Sequence, residues 1–128
     1  MAEPTGPTGA TGPAGAAGPA QPTISTHVLD TERGVPASGV RVALFRLDVV
    51  DGKPIRIAVA LTDGDGRVRD LLERPLQAGE YRLEFDIGAD DDAFFTKVSV
   101  DVRIIDTSRS YHVPLLLAPY SMTTYRGS

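Results

Sequence analysis

Cysteine is absent from this chain of 128 residues, which excludes a disulfide framework and a thiolate metal site. Tryptophan is also absent, and aromatic residues make up only 6% of the sequence. No apolar run approaches the roughly 20 residues of a membrane span, and no segment has the apolar core of a signal peptide. We therefore expect a soluble protein located in the cytoplasm.

Positive charge is scarce as well. The chain has 13 Lys and Arg residues against 17 Asp and Glu residues, which gives a formal net charge of −4. No segment collects a basic stripe, so nucleic acid is not an expected partner. The acidic run at 90–92 lacks the staggered oxygen spacing of a calcium-binding loop, and we interpret it as a solvated turn.

The first 22 residues differ in composition from the rest of the chain. Glycine occupies every third position from 6 to 18, which is the collagen period. Only five such triplets occur, and proline never stands in their third position. A Gly/Pro/Ala segment cannot bury enough apolar area to offset its ordering entropy. We expect 1–22 to be a disordered tail and 23–128 to be one folded domain; a trimerising stalk is the alternative for the tail.

Alternating polar and apolar residues dominate after the tail, interrupted by turn signals such as Asp63-Gly64-Asp65-Gly66. Residues 70–77 are the clearest break in this pattern and predict an irregular or short helical passage. Seven or eight short strands in about 105 residues predict an all-β sandwich. The strand-like segments are 24–29, 40–47, 55–61, 80–87, 96–104, 111–117 and 120–125.

Few side chains could carry chemistry. The chain has two histidines, His27 and His112, which lie in predicted strands at opposite ends of the domain. Taken one at a time, each candidate has a simpler explanation. A strand histidine is usually a structural residue, an arginine such as Arg67 after a turn is usually solvated, and a polar terminus is usually frayed. No His-x-His or His-Glu-x-x-His spacing, nucleophile elbow or phosphate-binding glycine motif is present.

Four separated blocks together resemble the transthyretin-related 5-hydroxyisourate hydrolases, which are enzymes of urate breakdown. The resemblance covers roughly 23–128 and keeps the order of the family's motifs. It implies a prealbumin-like (transthyretin-like) Greek-key β-sandwich of two four-stranded sheets and a homotetramer formed as a dimer of dimers. The blocks are Ser25-Thr26-His27-Val28-Leu29-Asp30-Thr31, Thr62-Asp63-Gly64-Asp65-Gly66-Arg67, Tyr111-His112-Val113-Pro114-Leu115-Leu116-Leu117 and Thr124-Tyr125-Arg126-Gly127-Ser128.

The resemblance also implies a reaction without cofactor or metal: hydrolysis of 5-hydroxyisourate to 2-oxo-4-hydroxy-4-carboxy-5-ureidoimidazoline. Its catalytic residues would be His27, Arg67 and His112. Imidazole suits proton transfer because its pKa of about 6.5 is near working pH, and a guanidinium can stabilise a developing oxyanion. Our hypothesis is that His27 activates or holds the water and His112 completes the relay, although the identity of the base is open from sequence. The substrate-binding residues implied are His27, Arg67, Tyr125, Arg126, Gly127 and Ser128.

A transthyretin-type carrier of small hydrophobic ligands is the main alternative. It shares the fold and the run 114–121, but it lacks the paired histidines and the terminal Tyr-Arg-Gly-Ser. An inactive scaffold on a collagen-like stalk is a third possibility and depends on the tail alone.

Two features of this chain depart from the family. The connection 87–93 is too short for the helix found there, and Ala118 and Met122 replace a more usual serine and tyrosine.

Overall fold

The computed structural model describes residues 21–47 and 51–127. Residues 1–20 of the predicted tail, and the predicted site residue Ser128, lie outside this range. The described residues contain nine β-strands and no helix. The strands are β1 (Ile24–Asp30), β2 (Val35–Pro36), β3 (Arg41–Arg46), β4 (Ile55–Leu61), β5 (Arg67–Val68), β6 (Gly79–Asp86), β7 (Lys97–Ile104), β8 (Tyr111–Ala118) and β9 (Ser121–Thr124).

The strands form two sheets, which confirms the predicted all-β sandwich. The first sheet has the order β2-β1-β8-β9, and β5 also pairs with β1. The second sheet has the order β4-β3-β6-β7. The first sheet therefore has five strands where the resemblance implied four. Three of the five, β1, β8 and β9, are longer strands; the other two, β2 and β5, are two residues long and too short to show a period of two in the sequence.

Alternation along each strand divides the core from the surface. In β6, Tyr81, Leu83 and Phe85 are buried, and the residues between them are partly exposed. In β1, Ile24, Thr26 and Val28 face inward in the same way. The one polar member of that inward row, Thr26, donates its hydroxyl hydrogen bond to the Val113 carbonyl at 2.6 Å, so its burial leaves this hydroxyl satisfied.

The predicted break in the strand pattern is also confirmed. Residues 69–78 have no regular structure, yet Leu71, Leu72 and Leu76 in this stretch are buried in the core. The short connection 87–96 contains turns and no helix, as its length indicated. No described helix is long and apolar enough to cross a membrane.

The pairing between β1 and β8 is the one parallel contact in the described sheets. It joins residues 87 positions apart in the sequence, such as Thr26 and Val113. β9 then pairs antiparallel with β8, and Met122 lies opposite Leu117, where both pack against the core. The two ends of the domain therefore meet in the middle of the first sheet.

Candidate active site

The outer face of the first sheet carries the three predicted catalytic residues. Because inward and outward positions alternate in β1, His27 points away from the core that Thr26 and Val28 join. The register sets His27 opposite Arg67 of β5. On the other side of β1, it sets Ser25 opposite His112 of β8. Strand pairing therefore brings together His27, Arg67 and His112, which are far apart in the sequence.

A tight turn holds Arg67 in this place. The Asp63 carboxylate accepts backbone hydrogen bonds from Asp65 and Arg67, each at 2.9 Å. Gly66 has a φ of 75°, a left-handed conformation that favours glycine. A Cβ atom on Gly66 would also run into the carbonyl oxygen of Val28. The Asp-Gly-Asp-Gly sequence thus fixes the entry into β5 and the position of the guanidinium beside His27.

His27 has a pKa below its ordinary value. Burial of the imidazole is the largest cause, and the positive charge of Arg67 adds to it. A hydrogen bond with the Asp65 backbone and the charges of Asp63 and Asp65 oppose this effect without cancelling it. The His27 ring is consequently neutral at neutral pH and able to accept a proton.

The pKa of His112 is lowered as well. The causes are burial, then the charge of Arg67, then His27, and a hydrogen bond with the Ser25 backbone opposes them. The side chain of Ser25 contacts the same ring, with 2.9 Å between its Oγ and Nδ1 of His112. Because Arg67 acts on both histidines and His27 acts on His112, the three groups form one electrostatic cluster.

The C-terminal segment reaches this cluster through Gly127. Its backbone N–H donates to the carbonyl of His112 at 2.8 Å, which continues the β8–β9 pairing beyond Thr124. A Cβ atom on Gly127 would lie 2.7 Å from Cδ2 of the His112 ring. Only glycine allows the backbone to approach the imidazole this closely.

Tyr125 and Arg126 precede Gly127, and both line one cleft together with His112. Tyr125 is 55% exposed. The guanidinium carbon of Arg126 lies 5.6 Å from the ring centre of Tyr111, which packs against the core. Arg126 therefore lies beside the cleft that His112 also lines, and its predicted role in substrate binding stays a prediction.

A cleft of about 250 Å³ opens beside this face, between the edges of the two sheets. Its walls are largely apolar and include Val100, Val102 and Tyr111, with His112 on one side. Neither His27 nor Arg67 lines it. The histidine–arginine cluster therefore lies on an open sheet surface next to the cleft. No group of three or more His, Cys, Asp or Glu side chains among the described residues could hold a metal ion.

Ser25 is the site residue that sequence reasoning missed. It appeared only as part of a motif, although its spacing of two from His27 places both on one face of a strand. Its contact with His112 depends on the parallel pairing of β1 with β8, and nothing in the local sequence indicates that pairing.

Comparison with known proteins gives a consistent result. The sequence profile of the HIUase/Transthyretin family matches residues 24–127. The 5-hydroxyisourate hydrolase of Deinococcus radiodurans is 44% identical to this chain over 117 residues, which are 84% of this chain and 97% of that protein.

Solved structures share the fold. The 5-hydroxyisourate hydrolase of Klebsiella pneumoniae has a TM-score of 0.72 and 36% identity, covering 84% of this chain and 99% of that one. Sea bream transthyretin in complex with thyroxine has a TM-score of 0.74 and 31% identity, covering 81% of this chain and 93% of that one. Since the two TM-scores are nearly equal, the backbone alone does not separate a hydrolase from a thyroxine-binding protein. Side chains must decide.

Proposed function

The chain belongs to the HIUase/Transthyretin family, and we propose that it hydrolyses 5-hydroxyisourate in urate degradation. Relatives named for this activity support the proposal, including one that is 44% identical and matched over almost its whole length. The observation that carries it is the grouping of His27, Arg67 and His112 on one sheet face.

The proposed reaction breaks a cyclic amide-type C–N bond. A neutral imidazole takes a proton from water as the water oxygen bonds to the carbonyl carbon. The imidazole then gives this proton to the leaving nitrogen of the substrate ring as the C–N bond breaks, so that charges and atoms balance. The lowered pKa values of His27 and His112 keep both rings in the accepting form at neutral pH. The Arg67 cation beside them would stabilise the negative charge that develops on the carbonyl oxygen.

The terminal segment would position the substrate. Gly127 supports the His112 ring, and the exposed Tyr125 lines the cleft beside His112, where its phenol is available for hydrogen bonding. The main-chain groups of 126–128 and the hydroxyl of Ser128 complete the substrate-binding set in this proposal. Such groups contribute by orienting the reacting carbonyl, which can be worth about 10²-fold in rate.

We also propose that the protein assembles as a homotetramer, a dimer of dimers. Among the described strands, β9 and β7 are uncovered edges on the same side of the sandwich, and edges of this kind favour pairing. Large exposed apolar side chains near these edges, Phe94, Ile105 and Tyr120, are 75–86% exposed. A second copy facing the open site would enclose it. Sedimentation velocity tests this state, and a monomer at micromolar concentration would contradict it.

The decisive experiment generates 5-hydroxyisourate from urate with urate oxidase and follows its ultraviolet decay. We expect the protein to accelerate the decay in proportion to its concentration. The Arg82→Ala variant, altered on the outer face of the second sheet, should do the same. A decay rate equal to the spontaneous one, together with saturable binding of thyroxine, would instead support a transthyretin-type carrier.

The reaction as proposed needs only side chains and water. Exhaustive chelation should therefore leave the rate unchanged, and activity that is lost on chelation and restored by one divalent ion would contradict this. The cytoplasmic location expected from the sequence stays a prediction, which cell fractionation tests.

A further inference from the structure

The side chain of Ser25 lies against one of the two ring nitrogens of His112. Its Oγ is 2.9 Å from Nδ1 of the ring. Both residues point to the outer face of the first sheet, because the parallel register sets them opposite each other. The contact is therefore built into the pairing of β1 with β8 and is not a chance meeting of two flexible side chains.

The geometry around Ser25 links the tautomer of His112 to the nitrogen that is left for a ligand. A neutral imidazole has one N–H donor and one lone pair, and a hydroxyl can accept from the first or donate to the second. Nδ1 is the nitrogen that faces Ser25. If Nδ1 carries the proton and donates it to the Ser25 hydroxyl, the lone pair that a general base needs is on Nε2.

A second contact fixes the orientation of the ring. The Gly127 backbone lies so close that a Cβ atom there would be 2.7 Å from Cδ2 and 3.1 Å from Cγ of His112. The ring is thus held by Ser25 at Nδ1 and limited by Gly127 along its Cγ–Cδ2 edge. The remaining edge, Cε1 to Nε2, is the one left for a ligand.

We propose that Ser25 is a positioning residue that holds His112 in the Nδ1–H tautomer, so that Nε2 carries the lone pair and accepts the proton of the attacking water. Ser25 does not touch the substrate in this proposal; it acts through the ring. The proposal gives His112 the role of base, and it rests on the proposed hydrolase function for its catalytic consequence only.

The tautomer can be measured without substrate, so this test does not depend on the function. We would label histidine with ¹⁵N and record the ring nitrogens above the pH at which the rings titrate. The chain has only two histidines, and the His27→Gln variant assigns the signals. We expect a protonated Nδ1 and an unprotonated Nε2 for His112. A protonated Nε2 would overturn the proposal.

Kinetics test the consequence. The Ser25→Ala variant should lower kcat by about 10-fold with little change in KM, because a misoriented base slows the chemical step more than binding. Ser25→Thr keeps a hydroxyl and should recover most of that loss. Ser99→Ala removes an exposed hydroxyl from β7 and is the matched control. A wild-type kcat in Ser25→Ala, or equal losses in the alanine and threonine variants, would overturn the proposal.

Discussion

The outer faces of the two sheets carry charge in opposite ways. On the second sheet, cations and anions pair across β6 and β7. Arg82 is 2.7 Å from Asp101, Arg103 is 2.9 Å from Glu80, and Lys97 is 3.5 Å from Glu84. On the first sheet, the guanidinium of Arg67 has no ion pair with any carboxylate among residues 21–47 and 51–127, and its charge instead acts on two histidines.

This difference shows how a surface becomes available for chemistry. Exposed ion pairs such as those on the second sheet contribute little to stability, about 0–1 kcal/mol each, but they use up the hydrogen-bonding capacity of their arginines. Arg67 has no such partner among the described residues, and its charge adds to burial in lowering the pKa values of both neighbouring histidines. A ligand with developing negative charge would find donors on the first sheet and occupied partners on the second.

The largest expected effect comes from removing either histidine of the first sheet. His27→Ala and His112→Ala should each reduce turnover by about 10²-fold or more, because the proton transfer they support is typically worth ~10²–10⁴-fold. Circular dichroism should show an unchanged fold. Arg82→Ala on the second sheet is the control and should keep full activity. Near-normal turnover in one histidine variant would remove that histidine from the mechanism.

Deleting residues 125–128 should have the second largest effect. We expect a loss of about 10²-fold in kcat/KM with little change in melting temperature, because four terminal residues bury little apolar area at roughly 25 cal/mol per Å². Activity and thermal unfolding would be measured on the same preparation. A lower melting temperature with full activity would mean that the segment is structural and that the catalytic face ends at His112.

Adding a single methyl group tests the contact between Gly127 and the His112 ring. Gly127→Ala places a Cβ atom 2.7 Å from Cδ2 of His112, where a ring carbon rather than a flexible chain end must move. We expect kcat to fall by about 10-fold, since small misplacements of a reacting group are costly. Gly52→Ala, in the turn between β3 and β4, meets open space but a φ of 74°, so it is the control for a glycine substitution that strains the backbone without touching His112. Equal activities of the two variants would show that the close approach does not orient the ring.

The smallest effect is a pKa change. Arg67→Met removes the charge that lowers the pKa of both His27 and His112, so both pKa values should rise. NMR titration of the ring protons measures this, with Arg56→Met on the second sheet as control.

The direction of these pKa shifts also determines how stability depends on pH. In the native protein both pKa values lie below 6.5, so the unfolded state binds more protons and stability falls as pH drops through 6.5. The variant should lose less stability there.

The sequence predicted the strands that bury one face and missed what depends on pairing partners. Tyr81, Leu83 and Phe85 show the period of two directly, so β6 could be recognised. The contact of Ser25 with His112 could not, because it depends on a parallel register over 87 positions. The position of Arg126 over Tyr111 was missed for a related reason: it depends on the pairing of the terminal segment with β8, which the motif itself does not indicate.

The parallel pairing of β1 with β8 has a consequence for folding. Contacts between residues 87 positions apart carry a large loop-closure entropy, and proteins dominated by such contacts fold slowly. On a ribosome, β1 would emerge long before its neighbour in the sheet is synthesised. One side of the backbone of β1, the strand that carries His27, therefore stays unpaired until β8 has been synthesised. Folding should be completed only after synthesis of the domain has finished. Until then, β1 is the segment most exposed to aggregation and to chaperone binding.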